Sequence, residues 1–119
     1  MIIKNPENST KITGNEGTII YGLLNPQHVE NVILYSLAYV NLPHGKSTLS
    51  HIMKTSEVYY ILEGKGVLHI NDEFNSVKAG DAIFVFPGAK QHFDNVGSGD
   101  LKFLCIVEPA WKKDDEIIL

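Results

Sequence analysis

The sequence predicts an all-β chain folded as a jelly roll, and three observations predict it. Short apolar or alternating runs rich in Val, Ile, Tyr and Phe recur from Thr18 to Val107, turn residues separate them, and no window carries a helical period. The punctuation comes from Gly64-Lys-Gly66, Asn71-Asp72, Lys78-Ala-Gly80 and Gly97-Ser-Gly-Asp100, residues that tolerate positive φ or bond their own backbone. Short strands joined by such turns pair as antiparallel hairpins. A jelly roll manages their exposed edges by folding them into two sheets.

Taken in order, the segment before Val32 contains Asn5-Pro6, Asn15, Gly17 and Asn25-Pro26, so it is expected to wrap the barrel with one or two strands. One of these falls near Thr18–Leu23. Strands follow near Val32–Asn41 and Ser47–Met53. The next, Glu57–Glu63, holds Val58-Tyr-Tyr-Ile-Leu62 and is apolar on both parities, so each of its faces needs cover. Gly66–Ile70, Glu73–Val77, Ala82–Phe86 and Gln91–Asn95 are each bounded by turn residues, and Leu101–Glu108 carries the last long apolar run. Beyond it, residues 109–119 form a short helix or a docked extension, with Trp111 expected to anchor that tail by burial.

A chain of 119 residues is about one domain, long enough to bury a core. Its net charge of −4 and its dispersed lysines leave no electrostatic footprint for nucleic acid. All ten basic residues are lysine, so no guanidinium fork is available to clamp a carboxylate or phosphate. Cys105 is the single cysteine and sits in an apolar run, which makes it a buried reduced thiol with no internal disulfide partner. With no signal-like leader and no apolar run of membrane-spanning length, a cytoplasmic protein with no membrane partner is expected.

Two clusters of residues carry the chemistry. Gly45, His51, Met53, Glu57 and Gly64 form the first, and Gly80, Phe86, Gly88, Gln91 and Asn95 form the second. Their spacing resembles the two motifs of the cupin family. Met53 stands where the family has its second His, Gln91 where it has the His of the second motif, and Phe86 where it has Pro. Sliding the second motif by one residue restores Pro87 and His92 but loses the Gly80 spacing, Gly88 and Asn95.

Strand parity separates these registers. With Gln91 facing inward, Phe93 and Asn95 share its face while His92 and Asp94 point outward. With His92 inward, Asp94 is buried and Phe93 expelled, and burying an unpaired carboxylate is costly. The first register is therefore preferred, although a bulge near Gln91 turns His92 inward in the alternative.

The resemblance implies a single cupin domain over 1–119, with a double-stranded β-helix core at about 33–108, short N-terminal strands and a C-terminal extension. It further implies a homodimer that binds a divalent metal and a small organic molecule inside the barrel. His51, Glu57 and Gln91 are the expected metal ligands, with Met53 or His92 as a fourth. Such a mixed nitrogen and oxygen set suits Mn, Fe, Ni or Zn. Thioether and amide donors bind such ions less well than the imidazoles they replace. The alternative is a metal-free binding module in which His51, Glu57 and Gln91 hydrogen-bond one another or a ligand.

Tyr35, Tyr39, Tyr59 and Phe93 are candidates for an aromatic lining of the ligand pocket. Among the other histidines, His28 and His44 are expected in loops, and His69 shares the parity of Val67, opposite to Leu68 and Ile70. The family includes metal-dependent dioxygenases, isomerases and decarboxylases as well as ligand-sensing modules, and fold alone does not choose among them. A metal-independent sugar isomerase or epimerase, with His51 or His92 as base, is a third expectation. The absence of arginine weakens it for phosphorylated substrates.

Overall fold

The computed structural model describes residues 1–13, 18–30 and 32–119; Asn15 and Gly17 lie outside these. Along the chain run β1 (Thr10–Thr13), β2 (Ile19–Leu24), β3 (Ser36–Leu42), β4 (His51–Met53), β5 (Ser56–Glu63), β6 (Lys65–Ile70), β7 (Glu73–Lys78), β8 (Ala82–Val85), β9 (Lys90–Asp94), β10 (Leu101–Glu108) and β11 (Glu116–Ile118). Two antiparallel sheets result, ordered β1-β2-β3-β10-β5-β8 and β11-β4-β9-β6-β7. They face each other as a jelly roll, with the apolar parity of each central strand turned inward.

That parity is clearest in β10, where Leu101, Phe103, Cys105 and Val107 are buried and the residues between them are not. Strand β5 turns Glu57, Tyr59 and Ile61 inward. In the middle, Tyr59 meets Phe93 and Phe103 edge to face at 4.8 and 5.4 Å, and those two rings stack at 4.5 Å. Aromatic triplets of this kind add direction to a core otherwise held by area burial.

Motif residues hold the turns between strands. Gly64 has φ +91°, and a side chain there would run into the Asp100 backbone. Asn95 is buried and closes the loop ahead of β10, its Nδ2 donating to the carbonyls of Leu42 and Gly99 and its Oδ1 accepting from Gly97 N.

Several expected elements differ. Residues 32–35 precede β3 without joining it: Ser36 pairs with Val107, and Pro109, just beyond, has no N–H with which to extend the ladder. Of the strand expected at 47–53, only His51–Met53 is regular. Ahead of it Ser47 bridges Asp94, and Thr48 Oγ1 accepts from Phe93 N at 2.8 Å, so a side chain takes a ladder position. The tail docks as strand β11 on β4 after a 3-10 turn at Lys113–Asp115. Trp111 does not anchor it by burial, being 47% exposed; the anchor is the β11 ladder. No helix among the described residues is long and apolar enough to cross a membrane.

Candidate functional site

Strand pairing sets the site. Gln91 on β9 is the cross-strand neighbour of His51 on β4 and of Ile70 on β6, which places these three in one row across the five-stranded sheet. From the opposite sheet, Glu57 and Tyr59 of β5 and Cys105 of β10 face that row, and Cys105 is the direct partner of Tyr59. Gln91 is 1% exposed while His92 is turned to the outer surface, the arrangement that parity favours.

A continuous hydrogen-bond network joins the two rows. Tyr59 donates to Gln91 Oε1 at 2.7 Å, Gln91 Nε2 donates to Glu57 Oε1 at 2.5 Å, and Cys105 Sγ donates to Glu57 Oε2 at 2.9 Å. Chemistry dictates the amide's orientation. Turned over, the Gln91 oxygen would face the Glu57 carboxylate, acceptor against acceptor. At the open end, His51 Nε2 stands 4.0 Å from Glu57 Oε1, and its Nδ1 bonds the Leu49 carbonyl at 3.0 Å, which leaves Nε2 directed inward. The His51 side chain is 15% exposed, so it is the network's contact with solvent.

Burial and the nearby Glu57 carboxylate push both the Tyr59 hydroxyl and the Cys105 thiol well above their ordinary values. Both groups therefore keep their protons at neutral pH and act as donors, satisfying a carboxylate that is itself buried.

The donor set decides how well a metal fits between His51, Glu57 and Gln91. His51 Nε2 and Glu57 Oε1 face each other with lone pairs. The Gln91 oxygen, however, is directed to Tyr59, and its nitrogen, which cannot ligate, is what faces Glu57. Met53 is buried in the core cluster. Two donors fall short of the three protein ligands that open metal sites carry. The interior therefore does not fit a three-ligand metal centre in this arrangement.

Of the expected lining, Tyr59 and Phe93 lie inside the barrel, whereas Tyr39 is on the other face of β3, packed on Tyr21 at 5.9 Å. Its neighbours Val40 and Leu42 take the core side. Tyr35 is exposed ahead of β3. His44 sits in a loop and contacts the Gly97 carbonyl, and His28 is likewise in a loop. Cys105 joins the network although the sequence marks it only as a buried thiol; its shared parity with Phe103 and Val107 was the available signal. A cavity of about 130 Å³ is lined by Leu68, Ile70, Glu73, Phe74, Asn75, Val77 and Ile83. Ile70 pairs with Gln91 and Ile83 with Tyr59, so its inner wall adjoins the polar row.

Barrel topology, motif glycines and the inward carboxylate together define the class: the chain belongs to the cupin family, and a model of the cupin domain matches residues 38–107. Among its relatives is an uncharacterized protein of Methanocaldococcus jannaschii, 39% identical over 105 residues, 87% of this chain and 83% of that one. An oxalate-binding protein of Thermotoga maritima is 34% identical over 104 residues, 86% of this chain and 85% of the other. The crystal structure of a predicted oxalate decarboxylase from the same organism superposes with a TM-score of 0.76 at 29% identity, covering 91% of this chain and 99% of that one.

Proposed function

We propose that this chain is a small-molecule-binding cupin whose interior recognises an uncharged polar ligand by hydrogen bonds, without a metal between His51, Glu57 and Gln91. One observation carries the reading: the Gln91 amide is committed to Tyr59 and Glu57, which makes the interior a satisfied hydrogen-bond network with His51 as its exposed end. A ligand entering there exchanges bonds with an imidazole nitrogen and a carboxylate oxygen. The adjacent cavity, walled by Leu68, Ile70, Val77 and Ile83, receives its apolar part, and its modest volume limits the ligand to a small molecule.

The charge of the site argues for a neutral ligand. Oxalate, named for the Thermotoga relative, would bring two carboxylates against Glu57 in a chain with no arginine to offset them. The test is ligand-observed NMR with a panel of small diols, amides and oxalate, each with and without Mn(II), on the wild type and on His51→Ala. Binding of neutral compounds without metal, lost in His51→Ala, is the expected result. Binding of oxalate alone, and only with Mn(II), would overturn it.

Self-association belongs to the same proposal. Tyr60, Leu62, Phe84 and Ile106 are exposed on the outer side of β5, β8 and β10, an apolar face on a sheet whose other face already packs the core. A second copy of the chain is the expected cover. Sedimentation equilibrium showing only monomer would remove this part.

A further inference from the structure

The outer face of the five-stranded sheet carries a second group of polar side chains, separate from the interior network. His69 on β6 and His92 on β9 are direct cross-strand partners, and their rings stack at 4.2 Å with planes 9° apart. Asp94, two residues beyond His92, shares that face. His69 Nε2 lies 2.8 Å from Asp94 Oδ2 and His92 Nε2 lies 3.5 Å from Asp94 Oδ1, so the two imidazoles aim equivalent nitrogens at opposite oxygens of one carboxylate.

Neighbouring hydroxyls hold these groups in place. Ser50 Oγ contacts His92 Nδ1 at 3.3 Å, which fixes the ring from behind, and Ser47 Oγ donates to Asp94 Oδ1 at 2.5 Å. The Phe74 ring flanks His69 at 5.9 Å. All three side chains are between a quarter and a third exposed, sheltered on the sheet side and open on the other.

From this geometry we propose that His69, His92 and Asp94 bind a first-row divalent transition ion on the outer face of the sheet. One ligand atom from each lies within 4.8 Å of the others. A tetrahedral ion with bonds of about 2.0–2.2 Å places its ligands roughly 3.4 Å apart. The 3.5 Å between His92 Nε2 and Asp94 Oδ1 already meets this; to admit the ion, His69 must draw back from its 2.8 Å contact with Asp94 Oδ2 and turn out of its stack on His92, since an imidazole nitrogen ligates in the plane of its ring.

Two imidazoles and a carboxylate select Zn, Ni or Co over Mg and Ca, and three protein ligands leave one position for water on the solvent side. Ser50 behind His92 and Ser47 beside Asp94 supply the outer partners that orient ligands in built metal sites.

Zinc is the probe. Long-range 1H–15N spectra of the histidine rings in the unmutated chain are followed as ZnCl2 is added, with calorimetry in parallel. The expected result is that His69 and His92 signals move together and saturate at one equivalent, while His28 and His44 stay in place. Zinc affinity should fall at least tenfold in His92→Ala and be retained in His51→Ala. His69 and His92 signals that do not move, shifts still unsaturated at several-fold excess zinc, or unchanged affinity in His92→Ala would each overturn the proposal. Because the spectra use the unmutated chain, a variant that fails to fold leaves the test intact.

Discussion

Gln91 Nε2 donates to Glu57 Oε1 at 2.5 Å across the barrel, and this bond ties the five-stranded sheet to the six-stranded one at a point closed to water. Gln91 there offers a donor to the carboxylate and an acceptor to Tyr59 at once.

Removing that amide strands both partners. In Gln91→Leu the Glu57 carboxylate loses one donor and the Tyr59 hydroxyl its acceptor, each deep in the core. A loss of about 3 kcal/mol in unfolding free energy is expected, read from urea denaturation. A loss within about 0.5 kcal/mol, the scatter of surface substitutions, would mean that the network contributes nothing to stability.

Restoring the imidazoles should restore a metal site. Met53→His with Gln91→His places two further imidazoles beside His51 and Glu57, and the double variant should retain one more equivalent of Mn or Zn after dialysis than the wild type. Adding His51→Ala should remove that equivalent. Equal metal content in the double variant and the wild type would show that more than these two residues separates this interior from a metal centre.

Alkaline pH should weaken the fold through Tyr59 and Cys105. Both hold their protons more tightly when folded, by burial first and Glu57 second, so their contribution is full below their ordinary values and is lost as pH rises. The decline is expected to begin near the ordinary thiol value of 9.0 and to steepen past the phenol value of 10.0. Urea midpoints across that window provide the check, and Cys105→Ala should delay the onset. A flat profile through both values would contradict the burial described here.

Gly64 and Gly22 make a matched pair. Gly64→Ala meets both a left-handed φ and the Asp100 backbone, and should cost about 1–3 kcal/mol. Gly22 has open space where a Cβ would stand, so Gly22→Ala should be close to neutral or mildly stabilising. Thermal unfolding of the two variants side by side tests the difference.

Strands β5 to β10 were legible in the sequence because short β-rich runs are set off by turns spelled by Gly, Asn and Asp. Strand parity placed Gln91 and Phe93 on the interior face, whereas Glu57 came from the motif resemblance and Tyr59 was one of several candidate lining aromatics. Tyr39 was misplaced because β3 is apolar on both sides: Leu37 and Tyr39 read as well as Ala38 and Val40, and only the pairing with β10 chooses between them. Residues 116–118, Glu-Ile-Ile, carry no alternation of their own. Their strand form comes from the edge that β4 offers, a tertiary cause invisible to local pattern. The outer His69–His92 pair was hidden for a similar reason, since residues distant in sequence become neighbours only through the register of β6 on β9.

Strand β4 has three residues, and the chain's last segment holds both of its ends: Lys54 N donates to the Asp115 carbonyl, and Leu119 N donates to the Ser50 carbonyl. His51 lies directly opposite Ile118. The tail is thus a handle on the interior. A fusion, a protease or a binding protein that grips residues 116–119 acts on the imidazole at the barrel mouth across one row of hydrogen bonds, so a tag for purification belongs at the other end of the chain.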